Sequence, residues 1–174
     1  RGVGDGLVPA SGRDEAAGGS RPGRPRLGVT STVPIWPPRS GGQMRGCHHY
    51  GALADRFDIE LICLASPSVP PSTREIRPGM IERVVPRTEA HDREELEITR
   101  EVGLPVTDIV AGRPTRLTPD YVTALRDALL GAAGVLLADP YLYPVLSAPD
   151  SDVPVVYDAY NFVIMHKEQV LPDT

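Results

Sequence analysis

Cysteine is scarce in this chain. Cys47 and Cys63 are the only two, too few for a disulfide framework. Cys63 falls inside an apolar run and reads as a small core hydrophobe, and a cytoplasmic, reducing setting suits the pair. Long apolar runs are missing as well. The longest, Ala128 to Ala138, is interrupted by Gly131 and Gly134, far short of the roughly 20 residues a spanning helix needs. No transmembrane segment is expected, although a peripheral membrane contact is compatible with this. The N-terminus has no apolar h-region, so no secretory leader is expected. It also has no initiator Met, which suggests a fragment or an unusual start.

Basic charge is thin. The net charge is −5, with five Arg against three acids in residues 1–26 and 13 basic against 20 acidic residues in the remainder. An acidic body of this kind excludes a nucleic-acid binder, whose affinity rests on clustered Lys and Arg. Several chemical signatures are absent too. There is no Walker loop, no Cys-x-x-Cys and no nucleophile elbow, so an activated-serine hydrolase is unsupported. A G-x-G-x-x-G does not follow the first strand, which weakens a sugar-phosphate epimerase or dehydrogenase reading. Gly2-Val-Gly-Asp-Gly6 follows no strand and opens no helix. Cys47-His48-His49 invites a metal reading. Neighbours on a helix point about 100° apart and cannot close on one ion, so no metal site is expected.

What remains is a 174-residue chain with 41% hydrophobic residues, enough for one domain with its own core. Residues 1–25 are rich in Gly, Pro, Ser and Arg without apolar periodicity, and the expectation is a disordered tail. From Arg26 strand and helix patterns alternate. Leu27 to Thr32, Ile59 to Ala65, Met80 to Pro86, Val135 to Ala138 and Val153 to Tyr157 read as strands. Gln43 to Arg56, Glu89 to Val102, a helix opening at Pro119 with Thr118 as its N-cap, a short one over Pro140 to Ser147 and a last one over Asn161 to Leu171 fill the gaps. Residues 66–79 read as a Pro/Ser loop, and 103–117 show no clear pattern. His91 reads as a solvated residue of a charged helix. The fold class is α/β, a Rossmann-like three-layer sandwich with a mostly parallel sheet.

Such sheets bind ligands beyond the carboxyl ends of their strands, at the point where strand order reverses. That places weight on loop 33–42 and on the turns at Asp139-Pro140 and Asp158 to Asn161. Gly41 and Gly42 stand at a helix entrance, where free amides attract anions and glycine admits a ligand close to the backbone. Arg45 follows as a phosphate- or carboxylate-binding cation or a solvated surface residue. Asp139 and Asp158 are either site groups or helix caps, and for Asp139 capping is the better reading.

Three segments carry a resemblance. They are Trp36-Pro-Pro-Arg-Ser-Gly-Gly-Gln-Met-Arg45, then Leu53-Ala-Asp-Arg-Phe-Asp58 running into Ile59-Glu-Leu-Ile-Cys-Leu64, and Pro154-Val-Val-Tyr-Asp-Ala-Tyr-Asn161. In this order they resemble the N-terminal half of GT-B glycosyltransferases of family 4. Pro105-Val-Thr-Asp108 and Ala138-Asp-Pro-Tyr141-Leu fit the same group. The resemblance implies one half of a GT-B architecture, with residues 26–174 as the acceptor-side domain and a donor-binding domain to follow. It implies retaining transfer of a sugar from a nucleotide-sugar donor to a sugar or lipid-linked acceptor, with no cofactor and no metal. Gly41 and Gly42 match the glycines that admit the donor diphosphate. Tyr160 and Asp158 match catalytic positions, and Arg45 and Asn161 match acceptor or phosphate contacts. The family often has His where this chain has Tyr160, and Glu where it has Val163. Without the second domain the chain is expected to be inactive. The competing reading is a non-catalytic, flavodoxin-like module that binds a small anion or a partner protein.

Overall fold

The computed structural model describes residues 23–146 and 153–159. Six strands form one sheet: β1 (Arg26–Ser31), β2 (Asp58–Ala65), β3 (Ser72–Arg77), β4 (Met80–Pro86), β5 (Gly134–Leu137) and β6 (Val155–Tyr157). Their order is β3-β4-β2-β1-β5-β6. Every pairing is parallel except the antiparallel pair of β3 and β4. The chain therefore builds outward from β1 through β2 to β4, then returns to the other side of β1 for β5 and β6. The reversal falls between β1 and β5, as the α/β reading requires.

Strand β2 shows why the sheet has two cores. Successive side chains of a strand point to opposite faces. Leu61 and Cys63 face one way with Val29, Ile59 and Met80, and pack under Tyr50 and Ala54. Ile62 and Leu64 face the other way with Val135 and Leu137, and pack under Tyr121, Ala124, Leu125 and Ala128. The first layer is helix α1 (Gly41–Leu53) and the turn after it. The second is helix α5 (Pro119–Leu129), with α2 (Glu89–Val102), α3 (Thr107–Ala111) and α4 (Pro114–Leu117) between β4 and α5 in sequence. A 3-10 turn over Pro140–Leu142 leads into α6 (Tyr143–Leu146). Helices on both faces explain why β2 reads as an unbroken apolar run. Gly28 of β1 lets α5 lie close, because a Cβ there would sit 2.9 Å from Leu129 Cδ2.

Three sequence expectations need correction. Residues 66–79 contain β3, hydrogen-bonded to β4 through a turn at Gly79, whose φ of 79° suits glycine. β3 reads Ser-Thr-Arg-Glu-Ile-Arg, an exposed edge strand with almost no apolar alternation to reveal it. Segment 103–117 folds into the short helices α3 and α4, with Pro114 opening the latter. His91 is fully buried rather than solvated. Its Nδ1 lies 2.8 Å from Thr118 Oγ1, so Thr118 occupies the N-cap position of α5 but makes no capping bond there. The helix expected over Asn161 to Leu171 and most of the N-terminal tail lie outside the described residues.

Candidate functional site

A cavity of about 190 Å³ opens at the carboxyl ends of β1 and β5. Ser31 and Thr32 line it at the end of β1, Asp139 lines it just after β5, and Ser40, Gly42 and Gln43 line it at the entrance of α1. This is the place that strand reversal predicts for a ligand.

The entrance of α1 is a capping box, in which an N-cap hydroxyl and a side chain three residues on bond each other's amides. Ser40 Oγ accepts Gln43 N at 3.3 Å, and Gln43 Oε1 accepts Ser40 N at 3.0 Å and Arg39 N at 2.7 Å. Gln43 Nε2 then donates to Pro34 O at 2.8 Å, which fixes the other limb of the loop. Gly41 and Gly42 are the first two helical residues, so their amides have no partner within α1. Among the described residues they have none outside it either. Both glycines are exposed, and a Cβ on either would meet no atom within 4 Å.

A buried carboxylate holds the loop from beneath. Glu82 of β4 is 0% exposed. Its Oε1 accepts the amides of Ile35 at 2.7 Å and Trp36 at 3.1 Å. Its Oε2 accepts Nε and Nη2 of Arg74 at 3.1 and 2.6 Å. Arg74 Nη2 also donates to the Trp36 carbonyl. Paired and hydrogen-bonded on both oxygens, the charge meets the conditions under which a buried carboxylate is tolerated. Sequence reading missed Glu82, Arg74 and Gln43. Ser40-x-x-Gln43 has the capping-box spacing that could have found Gln43; the phase of Glu82 with Met80 and Val84 marks it as inward-facing on β4 but not which groups it holds.

At the end of β6, Asp158 is caught by α1. Arg45 Nη2 donates to Oδ1 and the Tyr50 hydroxyl to Oδ2, each at 3.1 Å. The Asp158 side chain is only 11% exposed. Asp158 and Arg45, two of the residues chosen from sequence, thus meet directly. Any phosphate contact by Arg45 would share a guanidinium already bonded to carboxylate. Asp139 caps the 3-10 turn, its Oδ1 accepting Tyr141 N at 3.1 Å, as its capping reading anticipates. Tyr160 and Asn161 lie outside the described residues.

The two cysteines sit in surroundings that disfavour the thiolate. Burial, then the nearby Glu82 carboxylate, pushes the Cys63 thiol well up and the Cys47 thiol up. A thiol held protonated is a poor nucleophile, and neither microenvironment activates its cysteine. Burial, then Asp139, Tyr141 and Asp158, raises the Tyr157 phenol, keeping its proton as a donor beside the cavity turn. Among the described residues no three His, Cys, Asp or Glu side chains gather as metal ligands, and no helix is long and apolar enough to cross a membrane.

Fold and cavity together define a doubly wound α/β domain with a crevice at its switch point. No protein-family model matches the sequence, and no curated protein matches it. Among solved structures the chain is similar to a sucrose-phosphate synthase from Thermosynechococcus elongatus, at 10% identity and a TM-score of 0.26. That match covers 84% of this chain and 97% of the other. A likeness of this size transfers no residue role.

Proposed function

We propose that this domain is the acceptor-side half of a retaining glycosyltransferase. It moves a sugar from a nucleotide-sugar donor to a sugar or lipid-linked acceptor, with a following donor-binding domain needed for turnover. The observation that carries the reading is the pair of bare amides at Gly41 and Gly42, the second of which lines the switch-point cavity. A diphosphate leaving group gains negative charge as the glycosidic bond breaks. Preorganised N–H donors therefore stabilise the transition state more than the bound donor. The segments around Gly41-Gly42 and Asp158, which resemble the family, meet through Arg45 and Tyr50 of α1. In this role Asp158 and Tyr160 stand at the reacting centre, and Asn161 contacts acceptor or phosphate.

Cavity size supports a division of labour. About 190 Å³ is below the roughly 300–1,000 Å³ of sites that enclose a whole small ligand. It suits a phosphate-sized group, with a second domain closing over the rest. The same size favours the second reading, a small-anion-binding module without chemistry.

The chain joined to its downstream sequence, assayed with nucleotide-sugars, tests the first reading. Gly42→Val is expected to abolish transfer while leaving the domain folded, since a Cβ at this exposed position meets no atom within 4 Å. Undiminished turnover in that variant removes the assigned role. Inorganic phosphate binding without any transfer, with or without a second domain, leaves the small-anion module.

A further inference from the structure

Glu82 is an expensive residue to hold where it is. A carboxylate removed from water costs several kcal/mol unless its lone pairs are satisfied, and its neighbours on the inward face of β4, Met80 and Val84, are apolar. What the charge does is specific. One oxygen holds two consecutive amides of the loop, and the other holds the arginine that grips the same loop by its Trp36 carbonyl. The peptide units at Ile35 and Trp36 are therefore clamped from both sides. Ile35 lines the cavity, and the Trp36 side chain is left 43% exposed. Gln43 ties the preceding Pro34 to the entrance of α1. A chain of bonds thus runs from Arg74 through Glu82 and loop 34–36 to the helix start that carries Gly41 and Gly42.

We infer that Glu82 is a positioning residue for the anion-facing cavity, acting with Arg74 to preset loop 34–40. The inference rests on the anion-binding part of the proposed function, though its structural half does not. Glu82 touches no ligand. It fixes the geometry in which the glycine amides are offered, so that binding pays little ordering entropy.

Trp36 is the chain's only tryptophan, so its fluorescence reports this loop alone. The experiment compares the full chain with Glu82→Gln and with Arg74→Lys, whose side chain is 42% exposed in the parent. Acrylamide quenching of Trp36 reads the loop, and calorimetric titration with inorganic pyrophosphate reads the cavity. Circular dichroism selects conditions in which each protein is folded. Expected for Glu82→Gln are faster quenching and pyrophosphate binding weakened about tenfold, the scale of lost supporting contacts. Arg74→Lys keeps the charge but not the fork, and the same two changes are expected at smaller size. Unchanged quenching in both variants overturns the inference, whatever pyrophosphate does. Faster quenching with unchanged pyrophosphate affinity also overturns it, since the loop would then not govern the cavity. If the parent itself binds no pyrophosphate, the anion-site reading fails while faster quenching in the variants still upholds the clamp. If Glu82→Gln does not fold, Arg74→Lys alone decides by the same criteria.

Discussion

Asp158 and His91 are both largely withdrawn from solvent, and each is held by side chains of other elements. Asp158 accepts from Arg45 and Tyr50. Hydrogen bonds to charged groups are worth about 1.5–3 kcal/mol. Arg45 is substantially exposed, which discounts its share. Asp158→Asn is therefore expected to lower stability by about 1–2 kcal/mol, read as a shift in urea midpoint without change of slope. A shift near zero would mean that Asp158 does not hold α1 to β6. His91 stays neutral because burial disfavours its cation and Arg87 adds repulsion, against the weaker pull of Glu95, Asp92 and Glu94. With the folded value below the ordinary 6.5, the unfolded chain binds the proton more readily. Stability is then complete above pH 6.5 and falls as the pH drops toward the folded value. His91→Gln, which can still bond Thr118, is expected to lose less stability than the parent as the pH falls below 6.5. Parallel pH profiles for the two proteins would refute this.

Elements were legible where burial writes a pattern, and illegible where it does not. Leu61, Ile62, Cys63 and Leu64 are all buried, and a run of that kind can be read without a structure. Val122 and Leu125 give α5 its stripe, and Pro119 and Gly131 mark its ends. β3 was lost because its side chains face water and an ion pair. α3 and α4 were lost because helices of one turn carry no full period. The candidate site divides in the same way. Gly41, Gly42, Arg45 and Asp158 announced themselves by type and position. Glu82 and Arg74 did not, because their partners lie 47 and 38 residues away in sequence, at Ile35 and Trp36. The entrance of α1 supplies the test at this scale. Losing a capping hydroxyl costs about 1 kcal/mol, so Ser40→Ala should lower stability by about that amount in chemical denaturation. Ser40→Asp, which restores an acceptor, should recover most of it. Equal stability of the two would show that the capping box is idle.

At the scale of the whole molecule, the sheet turns the order of its strands into a location. Reversal between β1 and β5 leaves their carboxyl ends uncovered, and the loops that follow them are the ones that build the cavity. α1 crosses from the β1 side to Asp158 beyond β6, so the two wings of the sheet share one helix. The fold class and the position of the crevice follow from the alternation of patterns along the chain. The clamp beneath the loop follows only from three-dimensional adjacency.

Arg74 and Glu82 sit opposite each other in the β3–β4 ladder. Outer hairpins are ordinarily the most forgiving part of a sheet, and their turns accept extra residues. Here a slip of a single residue would swing Arg74 to the other side of the ribbon and strand the Glu82 carboxylate without its counter-ion. The length of this peripheral hairpin is thereby calibrated to a cavity two strands away. Adding one residue within β3, between Arg74 and Glu75, should accordingly disturb Trp36 emission, whereas one added at Val69, in the turn before β3, should leave it alone.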